Sequence, residues 1–387
     1  MLPKALNLDI KSKLPEVGTT IFTVMSRMAA EEGAVNLSQG FPDFDPPVEL
    51  MDLVSKHMKA SHNQYAPMEG LLSLREQVAA KVQKLYGSSF DPVTEVTITS
   101  GATEALHAAI SALVHPGDEV ILLEPAFDCY VPSIELNGGI PVPVALDPVN
   151  FTVPWQKVKD SISDRTRLVI INTPHNPTGT ILNADDLSQL ATIIRNTRII
   201  VLSDEVYEHI IFDNQKHQSV LSHSELSSRS IAVSSFGKTF HATGWKIGYL
   251  VAPKEISYEV RKTHQFLQFS VHAPSQFALA DYMASLDSYQ FLSDFYQKKR
   301  DLFLKLTADA PLKPLPSRGT YFQLFSYEGY SNIPDRQLAE KLTKQNKLAC
   351  IPVSVFYSDN TDNRFLRFCF CKDEDTLARG AKILCSL

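Results

Sequence analysis

The sequence lacks the features that would place it in several classes at once. Its 387 residues include only 16 glycines, and its 23 prolines are scattered, which excludes collagen-like and low-complexity chains. Neither sign of charge dominates: 37 Lys and Arg oppose 43 Asp and Glu, for a formal net charge of −6 without long like-charge runs. That gives no electrostatic footprint for a nucleic-acid or anionic-membrane partner. The five cysteines (Cys129, Cys350, Cys369, Cys371 and Cys385) are odd in number and form no C-x-x-C pair. Neither a disulfide framework nor a metal site is expected, and the count fits a reducing compartment. No apolar run reaches the ~18 residues a bilayer span needs. The opening MLPKALNLDIKSKLP lacks the apolar core of a signal peptide, so a soluble, cytoplasmic protein is expected. No G-x-G-x-x-G follows a strand, which disfavours a nicotinamide-dependent dehydrogenase.

What is present is a globular composition, 44% hydrophobic and therefore not disordered. At roughly 150 residues per domain the length suggests two or three domains, each able to bury a core. Between residues 46 and 285, β-branched runs alternate with helical stretches such as ATEALHAAISALV and ADDLSQLATIIR. The strand candidates are EVTITS (95–100), DEVILLE (118–124), GIPVPVAL (139–146), RLVIIN (167–172), RIIVLS (198–203), SIAVSS (230–235) and IGYLVA (247–252). This pattern predicts an α/β fold, a mostly parallel seven-stranded sheet covered by helices on both faces. From 286 to 387 a long charged helix (about 288–308) leads to strand TYFQLF, helix RQLAEKLTKQN, strand RFLRFCF and helix EDTLARGAKIL, a smaller α+β domain. Residues 1–45 carry too little periodicity for a domain and are expected to pack on the small one.

Parallel sheets bind ligands at the carboxyl ends of their strands, so the residues just after each strand carry the functional reading. After VTITS come Gly101, Ala102 and Thr103 at a helix start, where N–H groups and the helix dipole suit a phosphate. Ser100 or Thr103 as a helix cap explains the same residues. After DEVILLE, Phe127 suits either the core or the face of a flat ring. After RLVIIN, the loop TPHNPTG is held non-helical by two prolines and a glycine and can aim Asn176 into the crevice, or use it as a local cap. After RIIVLS, Asp204 ends an apolar strand and needs a partner if buried, with Tyr207 on the same face if the segment is helical; an Asp N-cap is the plainer alternative. After SIAVSS, Lys238 is bracketed by small and aromatic residues. Most lysines are solvated, but a desolvated one has a depressed pKa and becomes a nucleophile.

Taken together and in this order, the motifs SQGFPDF (38–44), NQYAP (63–67), SGATEA (100–105), NTPHNPTG (172–179), SDEVYE (203–208), SSFGKTFHATGWKIGY (234–249) and RFLRFCF (364–370) resemble class I/II aminotransferases of the pyridoxal-phosphate fold type I superfamily. The resemblance spans nearly the whole chain, and IPVSVFYS (351–358) with GWKIGY resembles the methionine, kynurenine and glutamine branch. It implies that Lys238 holds pyridoxal phosphate covalently through its amine and then shuttles the proton. Asp204 would face the pyridine nitrogen, Asn176 and Tyr207 the phenolic oxygen, and Phe127 the ring face, where many relatives have Tyr. The phosphate would take the N–H groups that follow Gly101, at Ala102 and Thr103, the Ser235 hydroxyl and Lys246, where many relatives have Arg. Tyr65 would reach the phosphate of a neighbouring subunit in a homodimer with shared active sites. Arg367 would grip the substrate carboxylate by its bidentate fork, helped by the backbone of Gly40; on its strand alone, pairing with a domain-interface acid is the plainer reading of Arg367.

The implied reaction moves an amino group from an amino acid to a 2-oxo acid in two half-reactions. Ile21, Phe22, Phe269, His272, Phe356 and Tyr357 are the candidates for the side-chain wall. Their apolar and aromatic character favours methionine, aromatic amino acids, kynurenine or glutamine over aspartate. A carbon–sulfur β-lyase acting on cysteine conjugates shares the cofactor and is the nearest alternative. A cofactor-sensing regulator would need an N-terminal DNA-binding module, for which residues 1–45 are too few.

Overall fold

The computed structural model describes residues 10–284 and 289–387. The first nine residues and the expected domain boundary at 285/286 lie outside the described residues. The strands are, in chain order, β1 (Val35–Asn36), β2 (Val96–Thr99), β3 (Glu119–Glu124), β4 (Ile140–Ala145), β5 (Thr166–Asn172), β6 (Ile200–Asp204), β7 (Ser230–Ser235) and β8 (Gly248–Val251). They are followed by β9 (Lys313–Pro314), β10 (Phe322–Ser326), β11 (Leu348–Ala349), β12 (Ile351–Pro352) and β13 (Phe365–Cys369).

All seven expected strands of the large sheet form, in the order β2-β8-β7-β6-β5-β3-β4. Six run the same way, and β8 is antiparallel to both of its neighbours, β2 and β7. Side-chain alternation explains why these runs read as uninterrupted apolar sequence. Ile121, Leu123, Val169, Ile171 and Val201 enter one buried cluster, while Val120, Leu122, Leu168, Ile170 and Leu202 enter another on the opposite face. Both faces are covered, as a parallel sheet requires. The helix Gly101–Leu113 packs over β7 and β8 and against the helix Lys254–Leu267.

A four-stranded antiparallel sheet, β12-β13-β10-β9, forms the core of the C-terminal region. Its long helix runs Leu292–Leu306. The N-terminal segment joins this region: β1 pairs in parallel with β11, and the helix Ile21–Glu31 packs on the helix Asp335–Gln345. The amide of Cys369 on β13 also donates to the carbonyl of Leu37. No described helix is long and apolar enough to cross a membrane.

The arrangement brings three stretches together. The carboxyl ends of β5, β6 and β7 open toward β13 of the small sheet, with the loop 37–41 laid between them.

Candidate active site

A cavity of about 240 Å³ lies at those strand ends. Its wall contains Gly101, Ala102, Thr103, Phe127, Asn176, Asp204, Tyr207, Ser235, Lys238 and Lys246, and also Asn172. Residues spread over 145 positions of sequence thus face one space because their strands are neighbours in the sheet.

Lys238 sits in a short helix, Phe236–Thr239, directly after β7. Its Nζ donates to the Tyr321 hydroxyl at 2.7 Å and to the Gly40 carbonyl at 3.2 Å. It lies 5.7 Å from the Tyr207 ring centre. Burial disfavours the ammonium and pulls its pKa down to about 8, so roughly a tenth is neutral amine at pH 7.

Asp204 ends β6 and is 3% exposed. Its carboxylate accepts from the Tyr130 hydroxyl at 2.6 Å and from the Val206 amide at 3.4 Å. Burial raises its pKa to about 6, with the Tyr130 hydrogen bond acting in the other direction. The segment after it is a turn rather than a helix, so Asp204 caps nothing. Tyr207 nevertheless reaches the cavity, buried and with its phenol pushed up by desolvation. Two acids hold this turn in place. Glu205 takes Ser203, His217 and the Val220 amide. Glu208 pairs with Lys81 at 2.6 Å and bonds Tyr86, Tyr249 and Ser234. Burial works against the Glu208 carboxylate, but Lys81 holds it well below the usual range.

The helix Gly101–Leu113 begins without a side-chain cap from Ser100. Its first turn therefore faces the cavity with unclaimed donors, the arrangement that attracts an anion. Gly101 has φ +78°, and a Cβ there would lie 3.4 Å from the Lys246 amine. Gly248 opposite is tighter: a Cβ would stand 2.8 Å from the Ala102 nitrogen and 2.7 Å from the Ser234 carbonyl. Uncapped helix, ammonium, Ser235 hydroxyl and glycine floor together make a cradle suited to a phosphate.

Arg367, on β13, is fully buried. Its Nη1 donates to the Asn176 side-chain oxygen at 2.7 Å and its Nη2 to the Ser38 carbonyl at 3.0 Å, while its Nε has no partner among the described residues. The guanidinium lies 3.9 Å from the Phe322 ring centre, 5.1 Å from that of Phe22 and 5.5 Å from that of Phe356. Burial lowers its pKa to about 10, which still leaves it charged. Among the described residues no carboxylate bonds to it, so the domain-interface ion pair is not formed there. A buried cation with a spare donor is a seat for an anionic ligand group.

The chain matches the family described as aminotransferase class I and II over residues 32–384. It is 50% identical over 375 residues to a methionine aminotransferase of Escherichia coli (strain K12), covering 97% of each chain. A crystal structure that identifies a methionine aminotransferase function in an E. coli protein superposes with a TM-score of 0.95, at 49% identity over 98% of this chain and 99% of that one. The structure of N-succinyldiaminopimelate aminotransferase from Mycobacterium tuberculosis gives 0.94, at 36% identity over 97% and 99%.

The chain belongs to the class I and II aminotransferases.

Membership of this aminotransferase family implies a fold that binds pyridoxal phosphate, and the residues of the cavity fit that group. The buried lysine, the buried acid and the phosphate cradle are three independent matches to its aldehyde, ring nitrogen and phosphate. Not every expected site residue of this aminotransferase meets there. Tyr65, 82% exposed, stacks edge-on with Phe269 at 5.2 Å. With His272, which bonds Ser275, Tyr65 lines a separate surface groove. Within one chain these three do not line the cavity. Phe22 and Phe356 pack together at 5.9 Å beside Arg367, while Ile21, part-buried, and Tyr357, buried, belong to the main hydrophobic core, and none of these four lines the cavity. Gly40 presents its carbonyl to Lys238.

Three residues of the site went unread in the sequence: Tyr321, Tyr130 and Asn172. The Asn172 side chain accepts from the Asn176 amide at 2.8 Å and donates to the Asp204 carbonyl at 2.8 Å, so it ties two site loops together. As the last residue of an apolar strand it carried the same signal as Asp204. Tyr321 and Tyr130 looked like ordinary aromatic residues, and only the tertiary fold brings their hydroxyls to Lys238 and Asp204.

Proposed function

We propose that this aminotransferase transfers the α-amino group of a neutral amino acid, methionine foremost, to a 2-oxo acid, with pyridoxal phosphate held by Lys238. The observation that carries this reading is one buried amine and one buried carboxylate in the wall of a single cavity, with a buried guanidinium bonded to Asn176 of that wall. When bound, the cofactor supplies an aldehyde that takes up amino groups and a ring that withdraws electrons from the reacting carbon.

The chain's own residues supply the rest. Lys238 Nζ, neutral in part at physiological pH, would hold the cofactor and would accept the proton from the substrate Cα. Asp204, ionised above about pH 6, would favour a protonated ring nitrogen, and it is held by the Tyr130 hydroxyl on its carboxylate and the Asn172 amide on its backbone carbonyl. Ala102 and Thr103 amides, Ser235 and Lys246 would hold the phosphate. Phe127 would pack on the ring face, and Asn176 and Tyr207 would serve its phenolic oxygen. Arg367 offers its free Nε, and exchanges its bond to Ser38 for the substrate carboxylate. In a homodimer, Tyr65 of a second copy completes the phosphate site, which would account for so exposed a tyrosine.

Phe22 and Phe356 beside Arg367 support an apolar side chain, as does the 50% identity to a methionine aminotransferase. A second carboxylate brought against these rings would be desolvated without a cation, at a cost of several kcal/mol. A kcat/KM panel of methionine, phenylalanine, kynurenine, glutamine and aspartate checks this. Methionine should exceed aspartate by ~100-fold or more, and a preference for aspartate would reverse the substrate assignment.

A further inference from the structure

Tyr321 lies at the meeting point of three parts of the chain. It comes from the strand region of the small sheet, Lys238 from the end of β7, and Gly40 from the N-terminal segment. Its hydroxyl donates to the Gly40 carbonyl at 2.6 Å and accepts from Lys238 Nζ at 2.7 Å. The ring is 1% exposed and fixed on several sides, by Tyr207 at 5.1 Å, Phe322 at 4.9 Å and Tyr296 at 5.7 Å. Its backbone is fixed as well. The Phe370 amide donates to the Tyr321 carbonyl at 3.0 Å, and the preceding Thr320, at φ +65°, bonds Ile210 at 2.9 Å. A hydroxyl held so firmly has little freedom except to rotate its proton.

That rotation matters because a phenol both donates and accepts. With Lys238 as ammonium, the lysine donates to the tyrosine oxygen, which donates to Gly40. With Lys238 as neutral amine, the same hydroxyl can turn its proton onto the lysine nitrogen, while the amine donates to the Gly40 carbonyl. Each protonation state keeps two partners, so the amine changes charge without leaving an unpaired group.

We propose that Tyr321, with the Gly40 carbonyl, is the positioning residue that receives the Lys238 amine whenever it is free and aims it for proton transfer. This rests on the assignment of Lys238 above as the cofactor-holding lysine. The bond is stronger to the charged form, so Tyr321 also opposes the effect of burial and keeps the amine's pKa from falling further.

The test uses Tyr321→Phe, which keeps the ring, with Tyr296→Phe as comparison. Tyr296 packs against Tyr321 but its hydroxyl bonds His241 at 3.0 Å and faces the Cys371 sulfur at 4.0 Å, so its loss removes a buried hydroxyl of the same layer that makes no hydrogen bond to Lys238. The first measurement is trace acetylation of the cofactor-free protein across pH, read as the labelling of Lys238 by peptide mass. Tyr321→Phe should lower the midpoint by ~0.5 unit or more, and Tyr296→Phe should leave it in place. The second is single-turnover proton transfer from α-deuterated and ordinary methionine in the loaded enzyme. Tyr321→Phe should slow it ~10- to 100-fold with a larger isotope effect and little change in KM. An unchanged midpoint, an equal shift in Tyr296→Phe, or normal proton transfer would overturn the proposal. The labelling needs no cofactor, so it judges the Tyr321–Lys238 pairing even if wild-type protein takes up no pyridoxal phosphate, an outcome that would instead sink the assignment above.

Discussion

Lys238→Ala is expected to abolish amino transfer, lowering single-turnover rates by at least ~10⁴-fold, because one amine serves both to hold the cofactor and to move the proton. The fold should survive. Tyr321 and the Gly40 carbonyl already share a hydrogen bond at 2.6 Å, so removing the amine leaves neither without a partner. Lys238→Arg sharpens the test. It keeps a cation in the same place, but a guanidinium stays protonated at any working pH and cannot supply a neutral nitrogen. Arginine should therefore be as inactive as alanine. Activity in either variant, measured as the 2-oxo acid released from methionine, would mean that another group does the chemistry.

Asp204→Asn should produce opposite changes in activity and stability. The folded carboxyl has a pKa of about 6, against 3.8 for an ordinary aspartate, since burial disfavours its charge. A raised folded pKa contributes stability that is fully present below the unfolded pKa and is lost as pH rises through about 6. At pH 7.5 the cofactor-free protein thus carries a buried charge costing roughly 3 kcal/mol, from about two pK units. Asparagine removes that charge and can still accept the Tyr130 hydroxyl. Thermal melts of the cofactor-free protein should show a gain of a few degrees at pH 7.5 and none near pH 4, with wild type drawing level as the pH falls. Proton abstraction in the loaded enzyme should meanwhile drop by on the order of 10³-fold, because the acid that keeps the ring nitrogen protonated is gone. A variant that is less stable at both pH values and fully active would show Asp204 to be a structural residue.

The trade-off between these readouts is itself informative. A chain selected only to fold would not line one cavity with a lysine and an aspartate, and bond an arginine to the Asn176 of its wall, with each of their pKa values displaced by burial. Stability given up in the cofactor-free state is returned when groups of opposite charge enter.

How far the sequence displays this depends on the kind of contact. The seven strands of the large sheet are legible because burial on both faces leaves unbroken apolar runs such as ILL and LVII, bounded by polar residues. The site is legible where a polar residue follows such a run, as with Asn176, Asp204 and Lys238. It is not legible where the partner arrives from elsewhere. Tyr130 meets Asp204 across 74 positions and Tyr321 meets Lys238 across 83, and neither position stands out locally. β1, β9, β11 and β12 are two residues each, too short for any period, and are set by the tertiary pairing that closes them. The turn after Asp204 defeats helical spacing because Glu205 and Glu208 are fixed by long-range partners, His217 and Lys81, rather than by a helix ladder.

The most direct test of the central claim is chemical. Protein incubated with pyridoxal phosphate is reduced with borohydride, digested and mapped by mass. One phosphopyridoxyl group is expected per chain, on the peptide containing Lys238, and it should be absent from Lys238→Ala. No uptake, or a label on another lysine with Lys238 unmodified, would contradict the account.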